Sequence, residues 1–287
     1  MYQWRKDIAR WEIADTLYLS VPFTWLLPRA RAIAQQTKKH VVVGGPAVDL
    51  LPDYLGDVAT IGGDPVVNPL TMHNPLASRS SEGCPNACTF CINREKPLRE
   101  LTGWEPRPTM CDDNFLACSS QHIADATDKL SRLPMVDFNQ GLAASEFPKH
   151  IDQLRRLPLL RLRFAWDSAG QESPVMDAVA LAKAHGMRDI RCYVLVGFKD
   201  TQEEATRRFQ ALWRAGVLPN PMRYQPLDCL VKDEYVGEHW TDAELGRFCR
   251  YWARHTYLVG IPYDEYRVSG AARATGGAQG ELWRERG

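Results

Sequence analysis

The sequence predicts an α/β protein in which parallel strands alternate with helices. From residue 78 onward, short apolar or β-rich runs alternate with stretches of helical periodicity. Parallel strands need long crossover connections, and helices usually supply them. The chain has 287 residues, which is enough for one sizeable core with an appendage or for two small domains.

The first 76 residues are predicted to form a small α/β extension. Strands are expected at residues 16–21, 40–43 and 57–61, and a helix at residues 25–36. The order of strand, helix and strand favours a parallel pair that flanks the main sheet.

The central region, residues 77–230, is predicted to contain six strands with helices between them. The strands are expected at residues 77–81, 108–112, 135–138, 160–166, 190–196 and 222–225. The helices are expected at residues 119–133, 145–157, 173–185 and 201–215. Residues 231–287 are predicted to form a C-terminal cap, with a helix at 241–257 and a flexible tail at 269–280 that is rich in Gly and Ala.

The most informative motif is a CxxxCxxC run formed by Cys84, Cys88 and Cys91. With 8 cysteines in 287 residues, chance produces this spacing with a probability of only about 0.006. Three thiolates can hold a cube-shaped iron–sulfur cluster and leave one iron free for a non-protein ligand. The alternative is a structural zinc site, which needs a fourth ligand, and only His73 or His122 could supply it.

The run from Ser81 to Cys91, with Phe90 directly before the third cysteine, resembles the signature of the radical S-adenosylmethionine (SAM) superfamily. The resemblance covers roughly residues 78–230 and implies a partial, open (β/α)6 barrel. It also implies that the three cysteines hold a 4Fe-4S cluster whose free iron binds SAM, with Phe90 near the cofactor. In this superfamily the cluster cleaves SAM to a 5'-deoxyadenosyl radical that abstracts hydrogen from the substrate. An electron donor of the flavodoxin or ferredoxin type is implied as a partner.

Residues that bind SAM are expected at the carboxyl ends of the strands, where parallel α/β barrels place their working side chains. Asp112, Asp113 and Asn114 follow the second strand and match the position of the superfamily's ligands for the methionyl ammonium, with Asp113 the first choice. A solvated turn is the alternative reading. Asn139 follows the third strand and is expected to contact SAM or substrate, or only to satisfy the neighbouring backbone.

The last three strands carry further candidates. Arg163 and Asp167 share one face of the fourth strand, where they are expected to bind the SAM carboxylate and the ribose hydroxyls, or to pair with each other. Val196 and Gly197 end a strand that resembles the adenine-packing strand of the superfamily, and Gln225 would complete that pocket.

Catalytic acid–base residues cannot be assigned from the sequence. Cys229, Tyr224 and Cys192 are candidates to donate a hydrogen atom to a product radical, although packing is the commoner role of such side chains. Thr201 and Glu204 predict a helix capping box rather than chemistry.

The N-terminal run Val-Val-Val-Gly-Gly-Pro at residues 41–46 resembles the end of the cobalamin-binding domain that precedes many radical SAM barrels. That domain normally carries a DxHxxG motif, and the sequence has none. The extension is therefore interpreted as a remnant of such a domain or as a substrate-side addition.

Composition and charge restrict the location of the protein. Lys plus Arg and Asp plus Glu are 35 each, so the net charge gives no global attraction to nucleic acid or to membranes. The longest apolar stretches are interrupted by polar residues, and the N-terminus does not resemble a signal peptide. We expect a cytoplasmic protein without membrane contact.

The substrate is the least determined feature. The core resembles small radical SAM proteins of bacteria and their phages, which implies hypermodification of nucleic acid or a nucleotide, such as rearrangement of a modified thymine side chain. Arginines that could contact phosphate are concentrated in the central region: Arg155, Arg156, Arg161, Arg163, Arg207, Arg208 and Arg223. A peptide or a small metabolite stays open as substrate. A methyl or methylthio transferase, or a zinc-binding module without catalysis, are the alternatives from other classes.

Overall fold

The computed structural model describes residues 4, 6–64, 66–94 and 96–267. They form an α/β structure with a four-stranded sheet, a six-stranded sheet and a two-stranded hairpin. Contacts divide the chain into two units, residues 1–163 with 225–235, and residues 164–224 with 236–287. The predicted division at residues 76 and 230 stays a prediction, and the predicted tail at 269–280 lies outside the described residues.

The N-terminal sheet has four strands in sequence order: β1 (Ala9–Ile13), β2 (Thr16–Ser20), β3 (His40–Gly44) and β4 (Thr60–Ile61). The predicted parallel pair is confirmed as β2 and β3, and β4 extends it in parallel. The pair belongs to a four-stranded sheet that is separate from the six-stranded one, and its predicted position flanking the main sheet stays a prediction.

Strand β1 was not predicted, and its turn explains why. It pairs antiparallel with β2 through the two-residue loop Ala14-Asp15, in which Ala14 adopts a φ of 50°. Such hairpin loops are normally recognised by Asn-Gly or Asp-Gly, which favour positive φ. The strand itself, Ala-Arg-Trp-Glu-Ile, lacks the β-branched run that marks a buried strand.

Three helices complete this region: α1 (Leu27–Gln36), α2 (Pro46–Leu50) and α3 (Pro69–His73). The predicted helix at 25–36 is confirmed as α1, preceded by a short 3-10 turn at Thr24–Leu26. Its buried face, Leu27, Ala30 and Ala34, belongs to the same core as Leu19 and Val43 of the sheet. Full burial of a Leu or Val side chain, such as that of Leu27 or Val43, contributes about 1.5–3 kcal/mol.

The main sheet begins with β5 (Ala77–Ser78). The chain then forms the hairpin of β6 (Ser81–Glu82) and β7 (Arg99–Glu100) before it returns as β8 (Thr109–Met110). The remaining strands are β9 (Val136–Phe138), β10 (Leu159–Trp166), β11 (Ile190–Val196) and β12 (Leu218–Arg223). The six strands lie side by side in chain order, from β5 at one edge to β12 at the other. The α/β class and the parallel sheet are thereby confirmed.

Helices follow the later strands as predicted: α4 (Ser120–Leu130), α5 (Phe147–Leu154), α6 (Glu172–Ala184), α7 (Gln202–Arg214) and α8 (Asp242–Ala253). The predicted capping box at Thr201 and Glu204 is confirmed at the start of α7. A second box, formed by Thr241 and Glu244, begins α8. Each box supplies acceptors for backbone N–H groups that the first helical turn leaves without partners.

The last strand begins and ends earlier in the chain than predicted. A strand was expected at residues 222–225, whereas β12 runs from Leu218 to Arg223 and pairs in parallel with β11. Pro219 and Pro221 interrupt the β pattern of this segment, because proline cannot donate a hydrogen bond to a neighbouring strand. They are tolerated here because β12 lies at the edge of the sheet.

Candidate functional site

The three cysteines of the motif lie on the connection between β5 and β8, as the sequence predicted. The thiols of Cys84, Cys88 and Cys91 are all half-buried. The hairpin of β6 and β7 closes the base of this connection. The backbone N–H of Cys84 donates to the carbonyl of Lys96 at 3.1 Å, so the segment folds back on itself. We call residues 83–97 the cysteine loop.

Hydrogen-bond donors are directed at the sulfurs of Cys84 and Cys91. The backbone N–H groups of Asn86 and Asn93 lie 3.4 Å from the Sγ atoms of Cys84 and Cys91, respectively. The side-chain amide Nδ2 of Asn114 lies 3.3 Å from the Sγ of Cys84. N–H donors of this kind stabilise negative charge on sulfur, and in iron–sulfur proteins they help to set the reduction potential. The loop therefore presents sulfurs in surroundings suited to metal-bound thiolates.

Asp112 anchors the segment that leads into the loop. Its Oδ1 accepts hydrogen bonds from the backbone N–H groups and the hydroxyls of Ser80 and Ser81, at 2.6 to 2.9 Å. The residue is 3 % exposed, and its Oδ2 has no hydrogen-bond partner among the described residues. Burial raises the pKa of this carboxyl, and the four hydrogen bonds oppose that effect. Of the three predicted ammonium ligands, Asp112 is the least accessible.

Asp113 and Asn114, which follow Asp112, contact the first residues of the cysteine loop. Asp113 is half-buried, and its Oδ2 accepts from the backbone N–H of Gly83 at 2.8 Å. Asn114 is 8 % exposed and binds Cys84, while its Oδ1 has no hydrogen-bond partner in the described part of the chain. Successive side chains after β8 thus hold successive residues at the entrance of the cysteine loop.

Gly83 is required at the turn before the first cysteine. It adopts a φ of +80°, and a Cβ at this position would overlap the carbonyl group of Pro97. Only glycine satisfies both conditions without strain. The functional roles of Gly83, Ser80 and Ser81 were not predicted, although the Ser-Ser-Glu-Gly run directly before Cys84 was visible in the sequence.

His122 supports this region from α4. Its Nε2 lies 3.1 Å from the hydroxyl oxygen of Ser80, and its Nδ1 lies 3.9 Å from a carboxylate oxygen of Glu100. Glu100 in turn accepts hydrogen bonds from the backbone N–H and the hydroxyl of Ser119, at 2.5 and 3.1 Å. His122 therefore contacts the segment after β5 through Ser80 and the hairpin through Glu100.

The other histidine considered as a fourth zinc ligand has a different neighbour. The Nε2 of His73 lies 3.0 Å from the hydroxyl oxygen of Ser20, at the end of β2. Among the residues that the structure describes, no three His, Cys, Asp or Glu side chains converge on the position of a single metal ion.

The third and fourth strands of the main sheet contribute a buried ion pair. Arg163 on β10 pairs with Asp137 on β9, and each residue is 8 % exposed. The predicted alternative for Arg163 was a pair with Asp167, so the charged neighbour found here is a different one. Asn139 is half-buried, and its backbone N–H donates to the carbonyl of Met110 at 3.0 Å. The predicted contact of the Asn139 side chain with SAM or substrate stays a prediction.

In the second unit, Asp167 follows β10 in a buried, charged environment. Burial raises the pKa of this carboxyl to about 6, although the positive charge of Arg208 opposes the rise. Arg208 is 2 % exposed, donates to the carbonyl of Trp166 at 3.1 Å and pairs with Asp200. Burial of Asp200 also raises its pKa.

The end of β11 is closely packed. Val196 is fully buried, and its carbonyl accepts from the backbone N–H of Tyr224 at 2.9 Å. Gly197 adopts a φ of +80°, and a Cβ there would lie 2.9 Å from a methyl carbon of Leu245. The backbone N–H of Gly197 donates to Asp200 at 2.8 Å. Glycine is therefore needed at this position for packing against Leu245, a reason that the sequence did not indicate.

Gln225 and Cys229 belong to the first unit. Both ends of the Gln225 side chain bind Asp233, with Oε1 accepting from its backbone N–H at 3.0 Å and Nε2 donating to its carboxylate at 2.9 Å. The Sγ of Cys229 lies 3.9 Å from Oε1 of Gln225 and 3.9 Å from the hydroxyl oxygen of Thr24. Burial raises the pKa of the Cys229 thiol, which favours its protonated form.

The other two candidate hydrogen donors lie in the second unit. Tyr224 is half-buried, with its ring centroid 4.6 Å from that of Phe198. Cys192 is fully buried in β11, and burial raises the pKa of its thiol. Phe90 is half-buried on the cysteine loop, between the second and third cysteines.

The arginines that were predicted to contact phosphate are mostly engaged by carboxylates. Ion pairs with acidic residues are formed by Arg155, Arg156, Arg163, Arg207, Arg208 and Arg223. Carboxylate partners offset much of the positive charge that would attract a phosphate backbone. The local density of arginine therefore does not support a nucleic-acid surface.

Comparison with models of protein families gives no match for this chain, and comparison with curated proteins gives none either. None of the helices in the described part of the chain is both long enough and apolar enough to cross a bilayer.

Proposed function

We propose that this chain is a radical SAM enzyme in which Cys84, Cys88 and Cys91 hold a 4Fe-4S cluster. The observation that carries the proposal is the cysteine loop itself: three half-buried thiols follow the first strand of a parallel sheet, and N–H donors are directed at the sulfurs of Cys84 and Cys91. When bound, such a cluster supplies the electron that splits SAM into methionine and a 5'-deoxyadenosyl radical, which abstracts hydrogen from the substrate.

The architecture around the loop agrees with this proposal. The six parallel strands lie in chain order, which is the order that a (β/α)6 barrel requires. The cysteine loop and the residues after β8 both follow carboxyl ends of neighbouring parallel strands, where such folds place their ligands. We propose that the sheet is the partial barrel of the radical SAM core.

Among the predicted SAM ligands, Asp113 is the best supported. It is half-buried beside the first cysteine, and its Oδ1 makes no hydrogen bond within the described residues. A carboxylate oxygen in this position can bind an ammonium group by a charge-assisted hydrogen bond. Arg163 is less well supported, because a SAM carboxylate would have to compete with Asp137 for its guanidinium.

The substrate class that we propose is nucleic acid or a nucleotide, with rearrangement of a modified thymine side chain as one such reaction. Its support is the resemblance of the core to small bacterial and phage radical SAM proteins. The paired arginines do not add to it. A partner of the flavodoxin or ferredoxin type is the proposed electron donor, and the cytoplasm the proposed location.

Anaerobic reconstitution with iron and sulfide tests the reaction class. We expect about four irons and four sulfides per chain, and 5'-deoxyadenosine after reduction in the presence of SAM. Cys88→Ala should abolish both, whereas Cys249→Ala replaces a half-buried cysteine of α8 and should change neither. One tightly bound zinc without acid-labile sulfide would identify a zinc-binding module, and about eight irons would identify a methylthio transferase with a second cluster.

The same assay separates the substrate classes. DNA that contains modified thymine, the corresponding nucleotides and a mixed peptide library are each added to the reduced enzyme with SAM. We expect stimulation of 5'-deoxyadenosine formation, with transfer of substrate deuterium into it, by DNA or nucleotides. Stimulation by peptides alone would contradict the proposed substrate class and leave the reaction class intact.

A further inference from the structure

The side chain of Asn114 donates to one of the three loop sulfurs. Its Nδ2 lies 3.3 Å from the Sγ of Cys84, whereas the N–H groups of Asn86 and Asn93 that lie near the sulfurs of Cys84 and Cys91 belong to the backbone. The contact joins residues 30 positions apart, so it depends on the pairing of β5 with β8. A substitution of Asn114 removes this side-chain donor, whereas substitution of Asn86 or Asn93 leaves the backbone N–H in place.

Asn114 is buried, and its backbone is held by a hydrogen bond. The residue is 8 % exposed, and its backbone carbonyl accepts from the backbone N–H of Ala117 at 3.2 Å. The preceding residue, Asp113, is fixed to the loop through Gly83. In a buried site of low polarity, a hydrogen bond is electrostatically stronger than in water. The side-chain amide of Asn114 therefore has the positive end of its dipole toward the sulfur of Cys84.

We propose that Asn114 is a positioning residue that raises the reduction potential of a cluster held by Cys84, Cys88 and Cys91. The inference rests on the proposed function, because it requires that these cysteines bind an iron–sulfur cluster. Reduction adds negative charge to the cluster and its sulfurs. A donor at the sulfur stabilises the reduced state more than the oxidised state, and its removal lowers the potential.

Two substitutions and two matched controls test this. Asn114→Leu keeps the approximate volume and removes the donor, and Asn114→Asp keeps the shape but replaces the donor by oxygen. Asn86→Ala and Asn93→Ala change two asparagines of the cysteine loop. Their hydrogen bonds to sulfur come from backbone N–H groups, which the substitutions retain. Each reconstituted protein is titrated with reductant without SAM, and the reduced cluster is followed by electron paramagnetic resonance.

For Asn114→Leu we expect the ratio of reduced to oxidised cluster at a given potential to fall three- to tenfold, which is a shift of about 28 to 59 mV for one electron. Asn114→Asp should shift the potential in the same direction and further, because it places an acceptor beside the sulfur. The two control variants should titrate with the wild type. Variants of Asn114 that also titrate with the wild type would overturn the inference.

A measurement on the wild type decides the question if the variants do not fold. Asparagine labelled with 15N only at Nδ2 is incorporated, and electron spin-echo modulation of the reduced cluster is recorded without SAM. We expect a 15N coupling that persists in Asn86→Ala, and its absence would overturn the inference. Failure of the wild type to take up iron and sulfide would instead refute the proposed function on which the inference rests.

Discussion

The carboxyl group of Asp112 anchors the segment that leads into the cysteine loop. Four donors of Ser80 and Ser81 share its Oδ1. Asp112→Ala leaves those buried donors without an acceptor, so we expect it to lower the free energy of unfolding by about 3 kcal/mol or more. Asp112→Asn keeps an oxygen in place, and it removes a charge that burial disfavours. It should therefore cost about 1 kcal/mol.

Urea denaturation of both variants at pH 7, without metal, measures these losses. The comparison is informative because both variants remove the charge at the same position, and only Asp112→Asn keeps an acceptor oxygen for Ser80 and Ser81. Equal losses for the two variants would contradict the role of Oδ1 as the anchor of Ser80 and Ser81.

Asp167 leads to a prediction about pH. The pKa of this carboxyl is raised from 3.8 to about 6 in the folded chain, chiefly by burial. The folded state therefore binds the proton more tightly than the unfolded chain. The resulting stabilisation is complete below about pH 4 and is lost as the pH rises through about 6. The difference between the two pKa values corresponds to at most about 3 kcal/mol.

Asp167→Asn removes this titration. We expect the free energy of unfolding of the wild type to fall, relative to that of Asp167→Asn, by roughly 1–3 kcal/mol between pH 4 and pH 7. Urea denaturation of both proteins at four or five pH values measures the difference. A difference that stays constant, or that rises with pH, would show that the carboxyl is not destabilised by burial.

Single residues also show the limits of sequence reasoning. The spacing of Cys84, Cys88 and Cys91 is local, so the sequence displays it directly. The partner of Arg163 is not local: the two-residue period of a strand places Asp167 on the same face, but the register of β9 against β10 brings Asp137 beside the guanidinium. Residues 112, 113 and 114 likewise contact residues about 30 positions earlier in the chain, and these contacts depend on the pairing of β5 with β8.

At the scale of elements, periodicity and capping predicted most of the main sheet and its helices. The predicted strand at residues 190–196 coincides with β11, and the predicted helix starts agree within two residues because Ser119, Thr201 and Thr241 are strong N-caps. The hairpin of β6 and β7 was not predicted. Strand β7 consists of Arg99 and Glu100, so it has no apolar or β-branched residue that would mark it as a strand.

Two glycines allow the geometry of the cysteine loop to be tested. Gly83 and Gly103 both adopt positive φ, at +80° and +72°. A Cβ at Gly83 would overlap the Pro97 carbonyl, whereas a Cβ at Gly103 would meet no atom of the described residues within 4 Å. Gly103→Ala should therefore cost about 1 kcal/mol from backbone strain alone. Gly83→Ala should cost more, because the loop must also move.

Iron uptake gives the second readout for this pair. Movement of the loop displaces Cys84 from the donors that hold it, so Gly83→Ala should take up less iron and sulfide than the wild type. Gly103→Ala should take up the same amount as the wild type. Urea denaturation and iron analysis of both variants check the two expectations, and equal behaviour of the two variants would contradict the steric argument.

At the scale of the whole molecule, the α/β class and the parallel main sheet could be predicted because alternation of strand and helix is a property of the sequence pattern. Strand β1 of the N-terminal sheet could not, because its turn carries no recognisable signal. The core of that sheet also includes Leu230 from a distant part of the chain, packed against residues such as Leu19 and Val43. Contacts between distant segments of this kind are invisible to periodicity.

The proposed cluster links the loop to the stability of the whole chain. A ligand that binds only the folded state stabilises it, by about 2.7 kcal/mol at a hundredfold excess over its dissociation constant. For a chain of this size we expect a rise of roughly 5–10 °C in the melting temperature after anaerobic reconstitution. Hydrogen exchange should slow most at the amides of residues 84–94, because the loop loses its freedom when its three sulfurs are joined. Cys88→Ala should show neither effect and Cys249→Ala both, so an unchanged rise in Cys88→Ala would place the stabilising ligand elsewhere in the chain.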